Sequence, residues 1–185
     1  MLASPGPSIL PMASPPRCRR WSPLALAGAL ISLAWRPAAL AQSVFVRPDQ
    51  NRPAGLALLL ERDIADGKQA LGVFGITADP VQPQVWRIKV WEELPNDVKV
   101  RSETVQCSPT APLRVTNDGR SLILRELNPG GVVTTANRID HLVWWATCFP
   151  EQAGKDPNSL RSLARELGYS GTRMEREQVV PASNL

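Results

Sequence analysis

Glycine, proline and Asn/Asp recur at about eight- to twelve-residue intervals from residue 42 onward, and that punctuation leaves room chiefly for short strands. Within it, QVWRIKVW (84–91) alternates: Trp86, Ile88 and Val90 share one face, Arg87 and Lys89 the other, as in a half-buried strand. DVKVRSETVQC (97–107) starts the same way, Val98 and Val100 inward and Lys99 and Arg101 outward. Val105 and Cys107 have the opposite parity, so a bulge or twist is expected near Ser102–Thr104 to bring Cys107 into the core. PLRVTNDGRSLILREL (112–127) reads as a hairpin about Asp118-Gly119, with glycine supplying the positive φ of the turn. NPGG (128–131) suits a type II turn, and VVTT (132–135) and HLVWWATCF (141–149) supply two more β-rich runs.

Two segments read as helix. In DPNSLRSLARELG, Asp156 is the expected cap and Pro157 the first helical position, with an apolar stripe of Leu160, Leu163, Ala164 and Leu167 and a stop at Gly168; this predicts a helix over about 157–167. GLALLLERDIADG (55–67) fits both periods. Leu56, Leu59, Leu60 and Ile64 have helical spacing, whereas Leu56, Leu58 and Leu60 alternate; Leu and Ala favour a helix over about 55–66. The expected fold is mainly β: a single sandwich or partly open barrel over 42–170, with the C-terminal helix packed on it. A flexible tail is expected over 171–185.

The segment before residue 42 is set apart by its charge. Arg17, Arg19 and Arg20 form a basic head, the apolar run Trp21–Trp35 follows, Arg36-Pro37 breaks it, and Ala39 and Ala41 precede a cut before Gln42. This predicts a cleaved secretory signal over 1–41, with Met12 as an alternative start, and a secreted or periplasmic product. An uncleaved anchor is the rival. The run is some 15 residues long, while a span needs about 20, so no stable membrane anchor is expected after cleavage. Ser22 and Pro23 stand where a twin-arginine signal takes bulky apolar residues. Four of the 21 Lys+Arg lie in 1–41 and none of the 17 Asp+Glu does, which leaves 17 of each sign in the remaining 144 residues. A neutral domain lacks the cationic footprint of a nucleic-acid binder.

Export also decides how the cysteines are read. Cys107 and Cys148 are the two that remain after cleavage, and outside the cytoplasm an even number pairs. A disulfide removes the free thiolate that a Cys–His nucleophile requires. His141 is the only histidine; with two cysteines and no Cys-x-x-Cys or His-x-x-x-His spacing it makes a poor zinc set, and no metal or other cofactor is expected. Ser121 lacks a Gly-x-Ser-x-Gly elbow. Glu92-Glu93 and Asp140-His141 point to opposite faces if extended, so neither adjacent pair converges on one substrate, and no catalytic residue is assigned.

Read as a strand, 141–149 is apolar on both faces, the pattern of a covered central strand. The alternative leaves Trp91, His141 and Trp145 exposed as an aromatic platform for a protein or carbohydrate partner. The leading functional expectation is an exported, non-enzymatic binding or structural domain held by one disulfide. The alternative is an exported hydrolase of cell-wall or extracellular material that works through carboxylates, with His141 as auxiliary acid or base.

Overall fold

The structure, a computed structural model, describes residues 48–181 and 183. The expected signal over 1–41 lies outside them. Asp66-Gly67 turns out to close a hairpin rather than stop a helix: Ile64 pairs with Gly67, whose φ is +139°, a value glycine adopts without a side-chain clash. The leucine-rich run before it is strand β1 (Ala57–Ile64), which corrects the helix expected over 55–66. A register shift between Leu58 and Leu60 turns the intervening Leu59 into the core, so three successive leucines are accommodated without a helix.

From there the chain builds a meander. β2 (Gly67–Ala78), β3 (Val85–Leu94), β4 (Asp97–Gln106), β5 (Leu113–Asn117) and β6 (Ser121–Glu126) follow in turn. Helices α1 (Arg138–Cys148) and α2 (Arg161–Glu166) come next, and β7 (Arg176–Pro181) returns to the edge of β6. All seven strands lie in chain order in one antiparallel sheet. The protein is thus mainly β with a C-terminal helix, as expected, its seven strands forming one sheet that is not closed into a barrel. β7 falls within the stretch expected as a flexible tail; Arg125↔Glu177 and Ile123↔Val179 are among its pairs with β6. VVTT (132–135) forms no strand.

Residues paired across strands share a face, and one face carries Leu71, Val73, Ile88, Val90 and Val105 toward the core. The β3–β4 pairing runs without a shift from Val85↔Gln106 to Leu94↔Asp97. The bulge expected near Ser102–Thr104 is therefore absent. Val98 and Val100 lie on the opposite face, Val100 being 49% exposed, while Arg101 and Glu103 share the inner face with Val105. Charge faces inward here because, as shown below, Glu103 has a buried partner.

The run 141–149 expected as a strand is instead mostly helix: α1 lies across β1–β5, and every side chain from Asp140 to Thr147 is buried. A short, uniformly apolar run carries no period that separates strand from buried helix, and Trp, Val and Thr tip a propensity argument toward strand. Packing decides otherwise. A helix enclosed on all sides buries eight successive residues at once.

The end of α2 is a Schellman motif, with the Gly168 N–H bonded to the Arg165 carbonyl and the Tyr169 N–H to that of Ala164. The helix expected over 157–167 thus stops at Gly168 as read, although its first turn, Pro157–Leu160, is 3₁₀ and Asp156 makes no side-chain cap. The motif aims Tyr169 at the core: its hydroxyl donates to the Cys107 carbonyl at 2.6 Å, and its ring meets Trp144 edge-on at 5.0 Å. Beside it, Cys107 and Cys148 form the expected disulfide, Cα atoms 5.6 Å apart, tying the exit of β4 to the last residue of α1. Its sequence separation of 41 corresponds to about 4 kcal/mol of chain entropy. Urea unfolding of Cys107→Ser/Cys148→Ser should show a loss of about 2–4 kcal/mol with α1 retained at low denaturant; a loss below about 1 kcal/mol would show that packing alone holds the helix.

Candidate binding cleft

The inner face changes character from one end of the sheet to the other. A single lateral row runs Trp86, Val105, Arg114, Arg125, Glu177 from β3 to β7. The first two belong to the core and the last three open a cleft of about 650 Å³ beside the first turn of α1. Arg114 and Arg125 stand directly opposite each other, an arrangement that repels unless acids intervene.

Three do. Arg114 is 4% exposed; its Nε and Nη2 donate to the two oxygens of Glu103 at 2.8 and 3.0 Å, and its Nη1 donates to Asp140 Oδ1 at 2.6 Å. Burial works against the Arg114 charge, but the hydrogen bonds and charges of Glu103 and Asp140 outweigh it and hold the guanidinium above its ordinary pKa. Arg125 Nε donates to Glu177 Oε2 at 2.8 Å and its Nη1 to the Thr116 hydroxyl at 3.1 Å; Asp140 Oδ2 lies 3.8 Å from the same Nε. Arg101 Nη1 meets Glu92 at 2.9 Å on the wall. Ile139, 46% exposed, and Ala136 add an apolar strip from the start of α1.

The neighbouring residue points elsewhere. His141 is fully buried, and its Nε2 donates to Glu175 Oε1 at 2.7 Å. Glu175 also accepts the Asn128 N–H at 2.9 Å and Asn137 Nδ2 at 2.6 Å, so one carboxylate joins the 128–131 turn, the start of α1 and its first turn. Burial alone would raise the Glu175 pKa; the hydrogen bonds from His141, Asn137 and Asn128 prevail and lower it.

The three residues expected as an aromatic platform are not brought together. Trp91 is 7% exposed on the opposite face of the sheet; its indole donates to Glu93 at 3.1 Å, and its ring meets Phe74 edge-on. There Arg52 bridges Glu93 and Glu61, and its hydrogen bonds lower the Glu93 pKa. His141 and Trp145, 0% and 1% exposed, lie in α1. The platform required strand parity at 141–149, and the helix removes it. Glu92 and Glu93 take separate partners on opposite faces, as do the adjacent Asp140 and His141 from α1.

Sequence reasoning missed Glu103, Arg114 and Glu175. A signal for the first existed: Ser102–Thr104 holds no glycine or proline to seat a bulge, and unbroken alternation puts Glu103 on the face of Val105 and Cys107. Nothing local marks Glu175, whose partners lie 34 to 47 residues away. Among the described residues, no group of three or more His, Cys, Asp or Glu side chains is placed to hold a metal ion.

Fold and site together define a single-sheet meander domain with one enclosed helix and a charged cleft where that helix begins. The chain matches no protein-family model, and no curated protein or solved structure was found to match it.

Because the Glu175 pKa is lowered on folding, its contribution to stability is fully present above the ordinary glutamate value of about 4.3 and is lost as pH falls through the lower folded value. The gap in unfolding free energy between the protein and Glu175→Gln should therefore be constant near pH 6 and shrink below about pH 4. Urea titrations at each pH measure it, and a gap that widens on acidification would contradict the assignment.

Proposed function

We propose that the protein is an exported, non-enzymatic binding domain, that it works in the periplasm or outside the cell after losing residues 1–41, and that its ligand site is the cleft between β4–β7 and the start of α1. One observation carries the choice of binding over turnover: the acids at the floor of the cleft are committed to arginine. Glu103 gives both oxygens to Arg114, and Asp140 gives one. Hydrolysis through carboxylates needs one to donate a proton and another to activate water or attack; ion-paired, buried groups are poorly set for either task. His141 is closed to solvent, which speaks against its use as an auxiliary acid or base.

The disulfide supports the export half of the reading, since such bonds persist in oxidising compartments. Expression of the whole chain in a secreting bacterial host tests both halves on one preparation. The exported product should have an intact mass starting at Gln42, gain no alkyl groups under denaturing, non-reducing conditions, and show no turnover of peptidoglycan or glycan substrates. Retention of 1–41 would overturn export. Turnover that is lost in Glu177→Gln or Asp140→Asn, with folding intact, would overturn the binding reading in favour of the hydrolase.

A further inference from the structure

We propose that β7 is a docking edge: it takes the last residues of an extended peptide as an added antiparallel strand, and Arg173 and Arg176 seat the peptide's C-terminal carboxylate. Nothing in this site depends on what the cleft binds. The sheet ends in two edges, and they are built differently. β1 carries a register shift between Leu58 and Leu60 and the successive charges of Glu61, Arg62 and Asp63, devices that discourage a partner strand. β7 pairs with β6 residue for residue from Arg176 to Pro181. Its charges are confined to the first two positions and its proline to the last, and Val179 is 54% exposed. Among the described residues no strand pairs with its other side, so its outward N–H and C=O groups are a template for one more.

Strand polarity decides which end of the guest lies where. Every pair in this sheet is antiparallel, and a strand added in the same way ends beside the start of β7. A pocket of about 460 Å³ opens there, on the face of the sheet that carries Leu113, Leu124, Glu126 and Arg176. Arg173 lines it too and is pinned by its backbone: its N–H donates to the Ser170 hydroxyl at 3.1 Å, and its carbonyl accepts Asn128 Nδ2 at 2.7 Å. Among the described residues the guanidiniums of Arg173 and Arg176 have no ion pair or side-chain hydrogen bond, and neither has the Glu126 carboxylate. Glu177, also on the rim, is held by Arg125. Two free guanidiniums against one free carboxylate leave one positive charge in excess, which a single terminal carboxylate neutralises. The arginine fork matches that group, and Leu113 and Leu124 give the last side chain an apolar floor.

The test is fluorescence anisotropy of the exported whole-chain product with a labelled hexapeptide of alternating threonine and valine, made with a free and with an amidated C-terminus. The free acid should bind saturably and the amide about tenfold more weakly. Arg173→Gln and Arg176→Gln should each weaken the acid roughly two- to fivefold and leave the amide unchanged, which a loss of folding would not do. Backbone N-methylation at one alternate set of peptide residues should abolish binding and at the other set spare it, since only every second residue bonds a given neighbour. Equal binding of acid and amide overturns the carboxylate assignment, and equal tolerance of both methylated sets overturns strand addition. Absence of binding by either peptide overturns the proposal as a whole; a dimer in sedimentation velocity would then mark β7 as filled by a second copy.

Discussion

A guanidinium buried between sheet and helix sets the terms for the rest of the molecule. Arg114 stands on β5, takes Glu103 from β4 on one side and reaches Asp140 in the first turn of α1 on the other. Removing such charges from water costs several kcal/mol per ion, and only close, multiple hydrogen bonds offset it. The triad therefore tolerates little displacement: moving α1 away would break the Arg114–Asp140 bond and leave a buried arginine short of a partner. The next residue, His141, is held in another direction by Glu175. Two successive side chains thus fix both the position and the rotation of the helix start.

The far end of α1 is fixed by different means. Cys148 is bonded to Cys107, and the Trp144 indole donates to the Gln106 carbonyl at 3.0 Å. Trp144, Trp145, Phe149 and Tyr169 pack at ring distances of 5.0 to 6.2 Å between those anchors. This division explains why the cleft lies where it does. The aromatic end of the helix covers the β1–β4 side of the sheet as a dry core, and the charged end leaves β5–β7 open beside it. The tryptophans serve the packing that positions the cleft, and the charged groups that line it are arginine and carboxylate.

What could be read from the sequence was whatever local chemistry decides. The turn at Asp118-Gly119, the alternation of 84–91, the stop at Gly168 and the pairing of Cys107 with Cys148 each depend on a few neighbouring residues or on compartment, and the structure contains all four. The errors fall where tertiary context overrides a local signal. The leucines of 56–60 and the apolar run of 141–149 fit two periods each, and the choice between them was made by a hairpin turn in one case and by enclosure in the other. The site was the least legible part. Reading alternation with charge toward water turns Arg101 outward and calls for a bulge at Ser102–Thr104, which hides that Arg101, Glu103 and Val105 share one face.

Arg114 joins helix to sheet through Asp140. A double-mutant cycle with Arg114→Met and Asp140→Asn, followed by urea unfolding, measures that link directly. A coupling of about 1–3 kcal/mol between the two sites is expected, the range for partners in one buried network. Additive effects, with coupling within about 0.3 kcal/mol of zero, would mean that α1 is held by its aromatic end and the disulfide alone, and that the charged row does not organise the cleft.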